Sequence, residues 1–285
     1  MGKPPAIGFI ARKKYRAATA AEYAREEMAL NLDFLPLNKN VRILNSHDCG
    51  IFALEKPAGT TSHPNSRGLV AAKRAMLLAD YEICGECYFV KMPDGTRKKI
   101  SLINRLDSPT SGVVLCSTNE TIARAVHRAF SSIAEKTYFA LVFGEIPDKV
   151  VWQDYIWVRM GSGAPLRSFV YSHKDPYSDF AETAVEKIRG NKNVSLVKFS
   201  PHTGKTHQIR AQSAYHRFPV IGDKTYGDFE LNRKVEKILG AESRMFLHSE
   251  TTKIDFEFNG EDIEFSATSP LPKSFSSALN LLLAQ

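Results

Sequence analysis

Short apolar runs cut apart by Gly, Pro, Asn and Asp constrain this chain more than any other feature. Residues 87–91 and 98–103 read as strands around Pro93-Asp94-Gly95, the turn chemistry that closes a hairpin. Residues 112–117 form an unbroken apolar run, as expected of a strand buried on both faces. Further strand patterns lie at 50–54, 136–143, 184–187 and 194–199, and 254–258 pairs with 263–265 as a closing hairpin. Helical spacing is less frequent, at 19–32, 69–78, 121–131, 208–215 and 231–239; the third repeats Ile122, Ala125, Val126 and Ala129. Strands outnumber helices and many neighbours join by hairpins. The expectation is an α+β fold, a central, mostly antiparallel mixed sheet with flanking helices.

With 285 residues, 43% of them hydrophobic, the chain can bury a core without a staple. Four cysteines are too few for a disulfide framework. Cys84 and Cys87 form a Cys-x-x-Cys pair, but no second pair or His-x-x-x-His follows to complete a zinc site, so free thiols are expected. No apolar run approaches the roughly 20 residues that span a bilayer, so no membrane partner is expected. The net charge of +7 favours a polyanionic partner. Arg12, Lys13, Lys14 and Arg16 precede the first acidic residue, Glu22, and no secretory hydrophobic core accompanies them. A basic arm for RNA phosphates accounts for them better than a transit leader, and points to the cytoplasm.

Polar residues that could carry chemistry gather at strand ends and turns, where sites are usually built. One segment is Leu54-Glu55-Lys56-Pro57-Ala58-Gly59, with His63-Pro64 beyond it. A second is Asn104-Arg105-Leu106-Asp107-Ser108-Pro109-Thr110-Ser111-Gly112, and a third is Lys136-Thr137-Tyr138. The last is His202-Thr203-Gly204-Lys205-Thr206-His207-Gln208-Ile209-Arg210, followed by Gly222-Asp223-Lys224-Thr225-Tyr226-Gly227. Singly, each has an ordinary structural explanation. Asp107 before Ser108-Pro109 suits a turn, Tyr138 suits a half-buried strand position, and Arg210 suits a surface.

Together and in this order the segments resemble the RNA pseudouridine synthases of the RluA family. The resemblance rests on Arg-Leu-Asp-x-x-Thr-Ser-Gly, Lys-x-Tyr, Thr-Gly-Lys-Thr-His-Gln-Ile-Arg and Gly-Asp-x-x-Tyr-Gly. The Lys-Pro-Ala-Gly element and Phe246-Leu247-His248 also fit. It covers about residues 43–269, which implies a catalytic domain at 43–285 with the pseudouridine-synthase fold and a catalytic cleft. Residues 1–42 are left as a basic extension with a short helix, too few for the small RNA-binding domain that members often carry. Asn104, Lys205 and Gln212 depart from the usual His, Arg and His of the pattern, which puts substrate contacts in question rather than catalysis.

The resemblance implies isomerisation of uridine to pseudouridine in a structured RNA, rRNA or tRNA, by a monomer. The N1–C1′ bond breaks, the uracil turns, and C5 joins C1′, with no redox change; no cofactor or metal is called for. Asp107 would be the nucleophile, acting at the sugar C1′ or the uracil C6. Arg210 would hold it ionised and oriented, its planar fork gripping the carboxylate in a way Lys cannot. Tyr138 would offer a ring to the flipped uracil and help remove the C5 proton. Arg105 would fill the space the base leaves, and Lys56, Lys136, Lys205 and His207 would contact RNA. Two rivals remain: a catalytically silent RNA chaperone on the same fold, and a hydrolase cleaving a glycosidic bond. The hydrolase is disfavoured because such enzymes commonly use two carboxylates.

Overall fold

The computed structural model describes residues 30–64, 72–159 and 166–285. In chain order the elements are β1 (Arg42–Ser46), β2 (Ile51–Lys56), β3 (Asp80–Glu82), β4 (Cys87–Lys91), β5 (Arg97–Leu102), β6 (Ser111–Ser117), α1 (Glu120–Ile133), β7 (Ala134–Phe143) and β8 (Lys149–Arg159). There follow β9 (Arg167–Tyr171), β10 (Asp179–Gly190), β11 (Val194–Pro201), α2 (Gln208–Tyr215), α3 (Phe229–Leu239), β12 (Leu247–Phe258), β13 (Glu261–Thr268) and α4 (Lys273–Leu283). The fold is α+β, with strands dominant. The described residues divide into two compact units. One comprises residues up to Leu106, Val113–Ala134 and Lys253–Thr268; the other comprises Asp107–Gly112, Glu135–Thr252 and Ser269–Gln285.

In the first unit, β3, β4 and β5 are antiparallel neighbours, and β5 pairs antiparallel with β6 at Ser101↔Ser117 and Leu102↔Cys116. β1 and β2 form an antiparallel pair with a register shift between Ile43 and Asn45. The uninterrupted apolar run behaves as its composition demands: Val113, Leu115 and Ile51 join Phe256 and Phe265 in one core. Helix α1 seals that core with Ile122 and Val126, and the Asn119 side chain caps it by accepting from the N–H groups of Thr121 and Ile122.

In the second unit the antiparallel order is β7-β11-β10-β8-β9. Two apolar clusters fill it. Ala140, Val142, Val197, Phe199 and Ile209 anchor one, while Leu141, Phe246, Phe275 and Leu279 anchor the other. Gly112 occurs where it does for a steric reason. Its φ is +119°, and a Cβ there would lie 2.0 Å from the carbonyl oxygen of Ser249, where the two strands run parallel.

Several elements differ from the sequence expectation. Strands β1, β3, β8 and β9 and helix α4 are not among the expected elements, although α4 repeats Phe275, Ala278, Leu279 and Leu282 at helical spacing and buries that face. On β8 the inward Trp152 and Ile156 alternate with outward Tyr155 and Trp157, so apolar residues on both faces erase the two-residue contrast. The helical spacing at 69–78 does not give a helix over its last four residues. Ala75 and Leu77 instead form isolated bridges to Thr61 and Leu37, and Ala75, Met76 and Leu77 are fully buried; residues 69–71 lie outside the described residues. Of the helix expected at 19–32, residues 19–29 lie outside them too, and residues 30–32 are not helical.

Candidate active site

Asp107, Arg210, Tyr138 and His207 all belong to the second unit, and three of them meet at one carboxylate. Asp107 opens a turn closed by Thr110 N–H donating to its carbonyl at 3.0 Å, just before the glycine that β12 requires. Arg210 lies in the first turn of α2, a helix buried on most sides from Gln208 to Ser213. Its Nη1 donates to Asp107 Oδ2 at 2.7 Å.

The two-toothed grip expected between Arg210 and Asp107 is directed elsewhere. Arg210 Nε and Nη2 donate to the two oxygens of Asp223 at 2.7 and 2.9 Å, leaving a single contact for Asp107. The physical reason is burial. Asp223 is 0% exposed and the Arg210 side chain 6%, against 26% for Asp107, so the most desolvated carboxylate takes the pair of strong bonds. Asp223 Oδ1 also accepts from the N–H groups of Thr225 and Tyr226. Asn232 on α3 fixes the loop by donating to the Asp223 carbonyl and accepting from Gly222 N–H. Burial works against the Asp223 carboxylate, yet the Arg210 fork and these N–H groups hold its pKa below the usual value. Burial alone would likewise favour a neutral Arg210; Asp223 and Asp107 reverse that and raise its pKa.

His207 joins the centre from the left-handed region, with φ of 54°, immediately before α2. Its Nε2 stands 3.5 Å from Asp107 Oδ1, and its Nδ1 lies 2.9 Å from the Tyr226 hydroxyl. That hydroxyl accepts from Ser168 N–H at 2.7 Å, so its own proton is free to go to Nδ1 and leave a proton on Nε2, facing Asp107. Burial, the largest influence, lowers the His207 pKa even though Asp107 opposes it, and the ring is neutral near pH 7. Tyr138 is partly exposed on β7. Burial is also the main reason its pKa is raised, and the Asp107 carboxylate adds to the rise, so it is a neutral phenol.

The remaining expected RNA contacts scatter. Lys56 is fully buried and its ammonium donates to the carbonyls of Pro57 and Thr60, so it braces its own turn and presents no charge to a phosphate. Lys136 is 7% exposed, donates to the Thr203 carbonyl, and has its pKa brought down to about 8 by burial. Lys205 stays at the surface, paired with Asp179 at 2.9 Å. Arg105, in the first unit, bonds Glu86 at 2.9 Å and approaches His63 Nε2 at 3.3 Å; His63 stacks on Tyr81. The departures from the family pattern do structural work. Asn104 accepts from Leu115 N–H, and Gln212, fully buried, donates to Asp154.

The sequence profile of RNA pseudouridylate synthases matches residues 50–215, more than half the chain. The chain belongs to this family. It is an RNA pseudouridine synthase. A ribosomal large subunit pseudouridine synthase C from Haemophilus influenzae is 29% identical over 251 residues, spanning 82% of this chain and 69% of that protein. A tRNA pseudouridine synthase C from Yersinia pestis is 31% identical over 184 residues, spanning 61% of this chain and 70% of its own. The solved structure of human RNA pseudouridylate synthase domain containing 4 shares the fold, with a TM-score of 0.61 at 22% identity over 84% of this chain and 92% of that one.

Of the two carboxylates that Arg210 bonds, Asp107 is thus the more accessible. Sequence reasoning gave Asp223 and Tyr226 no role, although both lie in a motif it had singled out. The buried Ser111–His248 contact at 2.8 Å, with Arg244 donating to Ser111, was missed as well. The signal for Asp223 was present, since a Gly-Asp pair beside a buried arginine invites a charge partner; what hid it was the assumption that Asp107 was that partner.

Proposed function

We propose that this synthase isomerises particular uridines of a structured RNA, rRNA or tRNA, in the cytoplasm, with Asp107 as nucleophile. The observation that carries the reading is the 2.7 Å contact from Arg210 to Asp107 Oδ2, made by an arginine already immobilised on Asp223. It orients a carboxylate that keeps partial access to solvent, while Oδ1 is approached by His207 Nε2 at a longer 3.5 Å. A nucleophile needs an oxygen held in place and still open to the substrate, and this arrangement offers both. The relatives named for large-subunit rRNA and for tRNA support those substrate classes. The free thiols of all four cysteines agree with a reducing compartment.

The uridine leaves its stack at a cost of a few kcal/mol, least where it is already unpaired. Asp107 then bonds the flipped nucleoside at C1′ or C6, and that bond breaks again, returning the carboxylate, before product leaves. The N1–C1′ electron pair leaves with uracil, C5 bonds C1′, the C5 proton departs, and N1 ends protonated, so atoms balance without a cofactor. Tyr138, a neutral phenol beside Asp107, presents its ring to the base. Incubating total rRNA and tRNA with wild type and with Asp107→Asn tests the reading. Pseudouridine is expected from the wild type alone, about 10⁴-fold above the variant. Equal product from both would remove Asp107 from the mechanism, and released free uracil would turn the reading to a hydrolase.

A further inference from the structure

The geometry points to a base-stacking platform for single-stranded RNA on the outward face of the β8–β9 ribbon. In this antiparallel pair, directly opposed residues share a face, and the register sets Tyr155 against Tyr171, Trp157 against Phe169 and Arg159 against Arg167. One face therefore carries four aromatic rings and two arginines. The other face carries Ile156 and Ser168, both buried, so the aromatic face is the outward one. None of its six residues is buried; Arg159 and Arg167 are exposed.

The composition of this face is the reverse of what stability asks for. Opposed like charges on neighbouring strands destabilise, and among the described residues neither arginine has an ion-pair partner. Both guanidiniums instead lie over the Phe169 ring, at 5.4 Å for Arg159 and 5.8 Å for Arg167, and Trp157 packs against the same ring at 5.5 Å. Phe180 of β10 extends the aromatic row by packing edge-on to Tyr155, and is itself 44% exposed. Rings interleaved with unpaired guanidiniums are what a strand of nucleotides requires, since bases stack on the rings while phosphates take the charges. A protein partner would have to leave both arginines desolvated or supply acids for them. RNA brings its own anions.

The ribbon also adjoins the reaction centre. The Arg167 guanidinium lies 5.6 Å from the Tyr226 ring centroid, and Arg210 lies 5.2 Å from the same ring. Nucleotides beside the target uridine would thus rest on the ribbon while the target occupies Asp107. This inference rests on the synthase reading for its substrate, but its test can fail separately.

A fluorescein-labelled single-stranded oligouridine is titrated against full-length wild type, Arg159→Gln/Arg167→Gln and Trp157→Leu/Phe169→Leu. The arginine variant is expected to lose at least tenfold in affinity, to bind with a shallower salt slope by about 1.4, and to keep or raise its Tm. The ring variant is expected to lose about fivefold or more per ring at unchanged salt slope. Pseudouridine formation at saturating RNA should keep its kcat, with KM rising. Unchanged oligouridine affinity in both folded variants overturns the platform, and so does a Tm drop in the arginine variant that fully accounts for weaker binding. Should wild type bind through the ribbon yet form no pseudouridine in any cellular RNA, the catalytic reading falls and the platform stands.

Discussion

Arg105 and Arg210 each bond a carboxylate, yet they live under opposite rules. Arg105 is 51% exposed, with one contact to Glu86 and one approach to His63, in a region where the His63 ring stacks on Tyr81. Arg210 is 6% exposed, and three of its nitrogens are committed to two acids, one of them completely buried. An exposed pair contributes little and can be exchanged for another anion, because water and salt screen it. A buried fork cannot be exchanged without stranding a charge. The contrast separates an exposed ion pair that water and salt can loosen from a buried cluster whose geometry the fold fixes.

The sharpest way to break the contrast is Arg210→Lys. Lysine keeps the charge but loses the fork, so Asp223 is left short of a partner. Activity is expected to fall about 10²–10³-fold, and stability by about 2–3 kcal/mol, measured by product formation and chemical denaturation. Wild-type stability in that variant would show that Asp223 does not depend on the fork. Asp223→Asn probes the same bond from the acid side. A carboxyl held below its ordinary value of 3.8 adds stability above that pH, and the contribution is lost as pH falls through the depressed folded value. The wild type should therefore lose stability below about pH 4 through this group, and Asp223→Asn should lack that part of the acid dependence.

Tyr226→Phe is a smaller perturbation. It removes the hydroxyl that fixes the His207 tautomer, while the ring near Arg210 remains. A loss of about fivefold in kcat is expected, the scale of one neutral hydrogen bond, with the pH–rate profile shifting as His207 becomes free to change tautomer. Arg105→Ala should be gentlest on the fold. Stability should change by no more than about 0.5 kcal/mol, because its partners are screened, while KM for RNA rises several-fold. A large Tm loss there would erase the distinction between the two arginines.

Much of the architecture could be read along the chain. The run at 112–117, the hairpin around Pro93-Asp94-Gly95 and the helix at 208–215 all form essentially where expected, because each is specified by neighbouring residues. β8 and β9 could not be read, since their meaning lies in having apolar residues on both faces, and only pairing shows which face is buried. Of the candidate site, the order of motifs singled out Asp107, Tyr138 and Arg210, and the fold sets Arg210 against Asp107. Motif order could not say how they bond.

By itself, then, the sequence determined the family and that most neighbouring strands run antiparallel, because motif order and local periodicity are properties of the chain. Tertiary structure decided who pairs with whom. It gave the Arg210 fork to Asp223 and a single bond to Asp107, placed Lys56 beneath its own turn, and turned an aromatic, arginine-bearing face of β8 and β9 toward solvent. The physical reason is that charges and rings are valued by their burial. Burial is set by residues far apart in the sequence, such as Asp107 and Arg210, and only folding brings those together.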